Sequence, residues 1–446
     1  MNKPRGRKAL ILVELNEINF DIVQRYVSSN PGRFPGFEKA MAGRSVCTTS
    51  ENEYENLEPW IQWASVHTGL SYDEHKVFRL GDMVGKPIPQ IFEQLEQLGI
   101  RVGCISPMNA ENRLHEPAYF IPDPWTNTPS DGSWWSKRIS AAVSQAVNDN
   151  AQSKVGFRNL VYIALALLRF AKPRHYLKYV SLAGRSRGAP WRKALVLDLL
   201  LNDLHSSLFS ALKPRFSTLF LNAGAHIQHH YYLNSPHLNL KADTKNPEWY
   251  ISSNLDPVME MLVIYDGIVA EYLSRTDVDV VVATGLSQCP YTKAHYYYRL
   301  KDHDRFLKRI GIEFREVFPR MTRDFLITFE NAAAAISAKT MLSKLYVAST
   351  GEPLFGEIEN RGSELFVVLT YPNEITPLDV AAGSGDEFNL SQFVVFVAIK
   401  NGMHQGKGYA FFTPVVAQFA PPDGGHVRNL YWTIMNYFKA DISAEI

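Results

Sequence analysis

The chain has 446 residues, of which 46% are hydrophobic and 20% charged, so it can bury a large core and is neither disordered nor fibrous. Its 46 Lys and Arg against 45 Asp and Glu give a formal net charge of +1, which excludes a broad electrostatic attraction to nucleic acid or to an anionic membrane and leaves local basic patches open. Three widely spaced cysteines, Cys47, Cys104 and Cys289, exclude a disulfide scaffold and a Cys-rich zinc site. We therefore expect a cytoplasmic globular protein with reduced thiols and no nucleic-acid partner.

The N-terminal part of the chain alternates between strand and helix patterns. ALILVEL (9–15) predicts a buried strand, FDIVQRYV (20–27) and PQIFEQLEQLG (89–99) predict amphipathic helices, and IRVGCIS (100–106) predicts a second strand. Apolar strands that alternate with amphipathic helices indicate a parallel sheet covered on both faces. We assign residues 1–133 to the first part of an α/β core.

Residues 134–213 have a different pattern, which predicts an inserted helical lobe. This segment contains SKRISAAVSQAVNDN, FRNLVYIALALLRFA and WRKALVLDLLLNDLHSSLFSAL, all with helical spacing of apolar residues. The strand patterns FSTLFL and VDVVVA then resume, so residues 214–446 form the second part of the core, with a β-rich C-terminal portion that ends in a loop, NGMHQGKGYAFFTP (401–414). The sequence thus predicts an α/β fold with a central, mostly parallel sheet flanked by helices.

No segment predicts a membrane-spanning helix. The apolar run LVYIALALLRFA (160–171) has about twelve residues, where a span needs about 20. A basic stretch follows it and leaves peripheral contact with anionic lipid as an open alternative. Its cations are Arg174, Lys178, Arg185, Arg187, Arg192 and Lys193. The oligomeric state has no signature in the sequence.

Polar residues follow three of the predicted strands, where ligands gather in an open parallel sheet. Glu14, Asn16 and Glu17 end the first strand, and alternation places Glu14 and Asn16 on one side, although both could also cap the next helix. Thr284 follows VDVVVA, and His404 lies in the glycine-flanked C-terminal loop. These positions predict a polar site at one edge of the sheet.

The segment AGAHIQHH, after FSTLFL, contains three histidines within five residues. In a helix, His226 and His230 share a face at positions i and i+4, the spacing at which two imidazoles meet one metal ion. Asn222 precedes them at the end of the strand. A plainer alternative is that each histidine is only hydrogen-bonded or exposed.

The segment EPWIQWASVHTGL (58–70), continuing to Asp73, Glu74 and His75, resembles the alkaline phosphatase superfamily, in particular its type I phosphodiesterase and sulfatase-like branches. Those families carry a nucleophile segment that runs through a proline and small residues to Thr-Gly, with a histidine a few residues later. The resemblance implies an alkaline-phosphatase-like fold and metal-dependent hydrolysis of phosphate or sulfate esters.

The resemblance continues along most of the chain outside the helical lobe. In the family, the first strand ends in a metal-binding aspartate, and the matching position in this sequence is Asn16. The family's Asp-x-x-x-His pair matches Asn222 and His226. VVVATGLSQ occupies the place of a strand that ends in Ser-Asp-His-Gly, and His404 matches the last metal-binding histidine.

The sequence also departs from the family pattern. Asn16 and Asn222 stand where the family has aspartates, and neutral amides are poorer zinc ligands than carboxylates. The Asp-His pair of the third motif is absent, and the nucleophile position falls on Pro59, which has no attacking atom. We therefore expect one divalent ion, zinc or manganese, rather than two.

The leading hypothesis is a single-metal hydrolase in which water attacks directly, with Glu58 or Glu17 as general base. The metal ligands would come from a set of six residues, and substrate contacts from a second set of five. The candidate ligands are His226, His230, His404, Asn222, Asn16 and Glu14, and Glu17 is an alternative carboxylate ligand. The candidate substrate-binding residues are Gln62, His67, His75, His229 and Thr284.

The substrate class and the reaction stay open at this point. Dense aromatic, amide and imidazole side chains suit a small anionic ester linked to a saccharide, because aromatic faces bury sugar surfaces and polar groups bond hydroxyls. One alternative is a binding protein that has lost hydrolysis, which the missing nucleophile favours. Another is a transferase that passes a phosphoryl-linked group to an alcohol.

Overall fold

The protein is a mixed α/β structure in this computed structural model, which describes residues 7–148, 157–240, 244–320, 323–383 and 387–445. The helices are α1 (Phe20–Ser29), α2 (Pro35–Ala42), α3 (Pro59–Thr68), α4 (Tyr72–His75), α5 (Ile91–Gln97), α6 (Trp134–Asn148), α7 (Phe157–Phe170), α8 (Tyr176–Gly184), α9 (Trp191–Leu212), α10 (Ala223–Tyr231), α11 (Pro257–Leu273), α12 (His303–Arg309), α13 (Ala332–Ser343) and α14 (Asn429–Glu445). The strands are β1 (Ala9–Leu15), β2 (Arg44–Thr49), β3 (Val102–Ile105), β4 (Tyr119–Ile121), β5 (Phe216–Leu221), β6 (Val278–Ala283), β7 (Ser287–Leu300), β8 (Glu316–Pro319), β9 (Asp324–Thr328), β10 (Tyr346–Val347), β11 (Glu359–Asn360), β12 (Glu364–Val368), β13 (Val380–Ala382), β14 (Phe388–Asn389), β15 (Val394–Gln405), β16 (Lys407–Phe412) and β17 (Gly425–His426).

The largest sheet in the described residues has eight strands in the order β17-β2-β16-β6-β1-β5-β3-β4. The five strands β6, β1, β5, β3 and β4 are parallel to one another, and β2 and β17 are also a parallel pair. Only β16 runs antiparallel to its neighbours, between β2 and β6. The predicted α/β class with a mostly parallel central sheet is confirmed.

The central strands are apolar because both faces of the sheet are covered. Along β1, Ile11 and Val13 belong to one hydrophobic core, and Leu10 and Leu12 belong to a second core on the opposite face. All four side chains are at most 1% exposed. A strand buried on both faces has a continuous hydrophobic pattern, as ALILVEL has.

The prediction of a C-terminal loop over residues 401–414 is wrong. His404 lies in β15, and the segment after Gly406 forms β16, which pairs with β2 on one side and β6 on the other. Glycine, lysine and glutamine are typical of a loop, but the partners of β16 are distant in sequence, so local composition did not reveal the strand.

The segment predicted as a helical lobe contains α6, α7, α8 and α9 in its described residues. Among those residues of the chain that the structure describes, α9 is the one helix long and apolar enough to cross a membrane, and 61% of its apolar window is buried inside the protein. A buried core helix passes the same test, and α9 contains the buried polar residues Asp198, Asp203 and His205.

The chain divides into two compact units. The first comprises the described parts of Met1–Asn239, Pro247–Pro290 and Gly402–Ile446, and it contains the eight-stranded sheet. The second comprises those of Leu240–Asn246 and Tyr291–Asn401, where antiparallel sheets surround a core that includes Phe306, Phe325 and Leu365. The domain boundaries at residues 133 and 213 stay a prediction.

Gly36 on α2 allows a close approach to α11, and this contact yields a test of the packing. A Cβ atom at this position would lie 2.4 Å from the carbonyl oxygen of Asp266 and 2.7 Å from the amide nitrogen of Ala270. Gly36→Ala should therefore lower the free energy of unfolding by about 1–3 kcal/mol, measured by urea denaturation. Gly184→Ala, where a Cβ meets no atom within 4 Å, is the matched control and should change stability little.

Candidate functional site

Three side chains converge at the carboxyl end of the central strand. Glu17 follows β1, His229 lies on α10 after β5, and His404 lies on β15. Glu17 Oε2 is 3.0 Å from His229 Nε2 and 3.0 Å from His404 Nε2, and the two Nε2 atoms are 3.3 Å apart. We call these residues the Glu-His-His cluster.

Neighbouring strand ends hold the backbone of Glu17 in place. Its N–H donates to the carbonyl oxygen of Thr284 at 3.1 Å, and its carbonyl oxygen accepts from Gln228 Nε2 at 2.8 Å. Its φ of +61° lies in the left-handed region, which a glutamate occupies only when its surroundings impose it. Strained residues of this kind concentrate at functional sites.

The carboxylate of Glu17 is buried and accepts several hydrogen bonds. Asn16 Nδ2 donates to Oε1 at 3.0 Å, and Gln288 Nε2 donates to Oε2. Burial acts to raise the pKa of Glu17, but the adjacent His404 and His229 outweigh it and hold the pKa well below its usual range. Glu17 is therefore a carboxylate, the form that binds cations.

Both histidines are oriented by an oxygen at their other ring nitrogen. His229 Nδ1 donates to the carbonyl oxygen of Gly402 at 3.2 Å, so its hydrogen is on Nδ1. His404 Nδ1 lies 3.5 Å from the Glu58 carboxylate. A histidine that ligates a metal usually donates its second ring N–H in this way, to a carbonyl or a carboxylate.

The cluster fits a divalent metal ion. Zinc bonds of about 2.0–2.2 Å in a tetrahedral site put any two ligand atoms roughly 3.4 Å apart, close to the distances between these three atoms. One carboxylate with two imidazoles is also the donor set of catalytic zinc sites that keep a fourth position for water or substrate. The side chains of His229 and His404 are 20% and 13% exposed, so solvent reaches the cluster.

Asn16 and Asn222 bind each other. Asn16 Nδ2 donates to Asn222 Oδ1 at 2.8 Å, and Asn16 Oδ1 accepts from Trp63 Nε1 at 2.8 Å. These bonds occupy the amide oxygens that the sequence predicts as metal ligands. The side chain that caps α1 is that of Asn19, so the alternative that Glu14 or Asn16 caps this helix is wrong.

His226 and His230 share a face of α10, as their spacing predicts, with ring centroids 4.8 Å apart. However, the metal-compatible group in the described residues takes His229 from this helix, a residue predicted to bind substrate. Glu17, predicted as a general base or as a carboxylate ligand, is the carboxylate of this group. Glu58 is the N-cap residue of α3, and its carboxylate lies 3.5 Å from His404 Nδ1, where it orients that ring.

Glu14, Gln62 and His67 are buried and bonded to other parts of the protein. Glu14 Oε1 accepts from Thr218 Oγ1 at 2.6 Å and lies 3.2 Å from His67 Nε2. Gln62 Nε2 donates to the carbonyl oxygen of Asn56 at 2.9 Å. All three side chains are at most 1% exposed, so a ligand cannot contact them in this conformation.

His75 and Thr284 also have structural partners. His75 Nδ1 accepts from the N–H of Val77 at 2.9 Å, and its Nε2 is 3.0 Å from Ser65 Oγ. Thr284 Oγ1 accepts from the N–H of Tyr409 at 3.0 Å, which links the end of β6 to β16. These two predicted substrate contacts are therefore buried supports of the fold.

Sequence reasoning missed two positioning residues, one on α9 in the helical segment and one on α11. Asp198 on α9 accepts from the N–H of Ala223 at 2.7 Å, and Tyr265 on α11 accepts from the N–H of Gly224 at 2.9 Å. Burial raises the pKa of Asp198 to about 6, and Tyr265 donates to it at 2.6 Å. Together they accept hydrogen bonds from two backbone N–H groups in the first turn of α10, the helix that carries His229. The aspartate within the apolar run LVLDLLL was the available signal.

No protein-family model and no curated protein sequence matches the chain. Several solved structures align with most of it. They include phosphonoacetate hydrolase from Sinorhizobium meliloti 1021 in complex with phosphonoformate, with a TM-score of 0.42, 10% identity, and coverage of 98% of this chain and 97% of that chain. Murine ectonucleotide pyrophosphatase/phosphodiesterase 5 has a TM-score of 0.39 and 11% identity, with 97% and 95% covered.

Alkaline phosphatase from the Antarctic bacterium TAB5 has a TM-score of 0.41 and 8% identity, with 98% of this chain and 99% of that chain covered. These three enzymes belong to the alkaline phosphatase superfamily, the class that the sequence motifs resemble.

Gly402 yields a test of how the cluster is supported. A Cβ atom there would lie 2.3 Å from Gln288 Oε1 and 2.8 Å from the carbonyl oxygen of Gln228. Gly402→Ala should displace both glutamines and the carbonyl that orients His229, and it should weaken zinc binding about 10–100-fold in a competitive chelator titration. Gly406→Ala, two residues beyond His404, would place its Cβ 3.5 Å from the nearest atom and should bind zinc normally.

The structural role of His75 predicts a pH dependence of stability. Burial lowers the pKa of folded His75 to about 4, whereas an unfolded histidine titrates near 6.5. As pH falls, the unfolded chain therefore binds the proton before the folded chain does. The free energy of unfolding should decrease as pH drops from about 6.5 to about 4. The contribution of His75 to this loss should be about 2 kcal/mol between pH 7 and pH 5. The variant His75→Asn keeps an acceptor for the N–H of Val77. Urea titrations of this variant at pH 7 and pH 5 should show a loss of unfolding free energy that is smaller by the contribution of His75. An unchanged loss in the variant would contradict the assignment.

Proposed function

We propose that the protein is a metal-dependent hydrolase of a small phosphate or sulfate ester, with one zinc or manganese ion at the Glu-His-His cluster. The observation that carries this proposal is the convergence of Glu17 Oε2, His229 Nε2 and His404 Nε2 within 3.0 to 3.3 Å of one another. The cluster lies where β5, β1 and β6 end, and ligands of open α/β sheets bind at such ends.

Each residue has a distinct role in this proposal. Glu17, His229 and His404 would hold the ion, which when bound would polarise an ester oxygen and lower the pKa of water. Gly402 and Glu58 would keep the two imidazoles turned with Nε2 toward Glu17. Glu58 lies at the opposite edge of the His404 ring from Nε2, so we assign it to positioning rather than to proton abstraction.

The residue at the start of α3 supports direct attack by water. Pro59, which the motif resemblance places at the nucleophile position, is buried at the first turn of that helix. The hydroxyl of Ser65 is fully buried and lies 3.0 Å from His75 Nε2. A covalent intermediate on α3 therefore has no support, and a hydrolase or an alcohol-accepting transferase with direct displacement fits better.

A second candidate is a metal-binding protein that has lost hydrolysis. It is favoured by the hydrogen bond between Asn16 and Asn222, because two amides replace the two carboxylates of the resembling family. In both cases we propose a small anionic, saccharide-linked ligand and a cytoplasmic location, which the reduced cysteines support.

Metal content tests the shared premise of both candidates. Protein loaded with zinc or manganese and then desalted should retain about one ion per chain by inductively coupled plasma mass spectrometry, because three charged or imidazole ligands meet at one point. Glu17→Gln and His404→Ala should each lose it. His226→Ala, which removes an imidazole outside the cluster, is the matched control and should keep the ion. Retention of the ion by His404→Ala would contradict the proposed centre.

Hydrolysis then separates the two candidates. The loaded protein should release nitrophenol from at least one of bis-nitrophenyl phosphate, nitrophenyl phosphate and nitrophenyl sulfate, and a chelator should abolish the release. Glu58→Gln should reduce the rate of ester hydrolysis about tenfold or more, and this variant should still bind the metal when the metal concentration is raised. Full metal occupancy with no turnover of any of these esters would favour the binding protein.

A further inference from the structure

We propose that α7 and α8 form a docking surface for anionic membrane lipid. Of the four large apolar side chains that are at least 70% exposed in the described residues, three lie within 168–180. They are Leu168 at 79%, Leu177 at 84% and Val180 at 70%. Exposed apolar side chains concentrated on two consecutive helices mark an interaction surface rather than chance exposure.

The exposed residues follow helical spacing on both elements. On α7, Val161, Leu165 and Leu168 are exposed at positions i, i+4 and i+7, whereas Ala166 and Phe170 are buried. On α8, Leu177 and Val180 are exposed three residues apart. Each helix therefore presents an apolar stripe to solvent, as an interfacial amphipathic helix does.

Polar bonds hold α8, and the link between α7 and α8, with the α8 stripe outward. His175 Nδ1 lies 2.7 Å from Asp203 Oδ1, and Tyr179 donates to Asp203 Oδ2 at 2.9 Å, which ties α8 to α9. Lys172 and Arg174, in the link between α7 and α8, pair with Glu271 on α11. The link is thus anchored to the body of the first unit, so the exposure of the leucines does not come from a loose segment.

The charge of this segment indicates which partner it fits. Residues 150–197 contain ten Lys and Arg and no Asp or Glu, in a chain whose total charges are balanced. Within the part of the chain that the structure describes, Arg169, Arg185 and Arg187 make no ion pair, whereas Arg192 pairs with Glu260. Cations that flank exposed aliphatic side chains match a surface with anionic headgroups above acyl chains.

Two other occupants fit the same residues less well. A second copy of the chain would bring the same unpaired arginines together, and like charges across an interface are unfavourable. A nucleic acid would satisfy the cations but would leave the leucines and the valine exposed to water. An anionic membrane is the partner that satisfies both features.

Vesicle co-sedimentation with the full chain tests the proposal. The protein should bind vesicles of phosphatidylcholine with about 30% phosphatidylglycerol, should bind pure phosphatidylcholine at least tenfold more weakly, and should be released by about 0.5 M NaCl. Equal binding to both vesicle types, or no binding to either, would overturn the proposal without any variant.

Two sets of substitutions assign the binding to these helices. Arg169→Gln, Arg185→Gln and Arg187→Gln together should weaken binding about 100-fold, and Leu168→Ser, Leu177→Ser and Val180→Ser together should weaken it at least about tenfold. The matched controls lie elsewhere and should bind within about twofold of the natural chain. The charge control combines Arg33→Gln, Arg44→Gln and Arg320→Gln, and the apolar control is Leu378→Ser, a side chain 89% exposed.

Sedimentation velocity and circular dichroism complete the test. All variants should keep the spectrum of the natural chain, because the replaced side chains lie on the surface. Concentration-dependent dimers that disappear in the Leu168, Leu177 and Val180 variant would overturn the proposal in favour of a second copy. Controls that lose vesicle binding as strongly as the two test sets would overturn the assignment to α7 and α8.

Discussion

The carboxylate of Glu17 is the constraint on which the site depends. A charged group that is 3% exposed is costly to bury unless it is paired and hydrogen-bonded, and the surrounding elements each supply a partner. Asn16 at the end of β1 and Gln288 on β7 donate hydrogen bonds to the carboxylate, and His229 on α10 and His404 on β15 each place Nε2 3.0 Å from it. Four separate parts of the chain are thus held together by one negative charge, and the same charge is what makes the cluster attractive to a cation.

The amide pair of Asn16 and Asn222 shows how the protein avoids a second charge beside the first. Two aspartates at these positions would repel each other and Glu17 unless a cation lay between them. With amides, Asn16 instead donates to both neighbours and accepts from Trp63, so the region is satisfied by neutral hydrogen bonds. The negative charge that could hold metal is concentrated on Glu17, which is consistent with one ion rather than two.

Much of the fold could be predicted from the sequence, because buried parallel strands have continuous apolar runs. β1, β5 and β6 lie where ALILVEL, FSTLFL and VDVVVA predict them, and polar residues do follow their ends. The strand β16 could not be predicted, since its position depends on pairing with β2 and β6, which are distant in sequence.

The site was predicted only in part. Helical periodicity shows that His226 and His230 share a face, but it cannot show how α10 is rotated against the sheet, and that rotation is what selects His229. Likewise, the left-handed backbone of Glu17, which turns its side chain toward the histidines, comes from hydrogen bonds with Thr284 and Gln228. Such tertiary bonds have no local sequence pattern.

The position of β16 has a consequence for how the protein is made. Among the described residues, both sheet partners of β2 come from the C-terminal part of the chain, β16 and β17. About 360 residues separate the end of β2 from the start of β16, so a ribosome working at 5–20 residues per second needs roughly 20 to 70 s to supply the missing strand. During that interval β2 has exposed edges and His404 has not been synthesised. The eight-stranded sheet and the Glu-His-His cluster are therefore completed together, late in translation, and chaperones have a long period in which to act on the nascent chain.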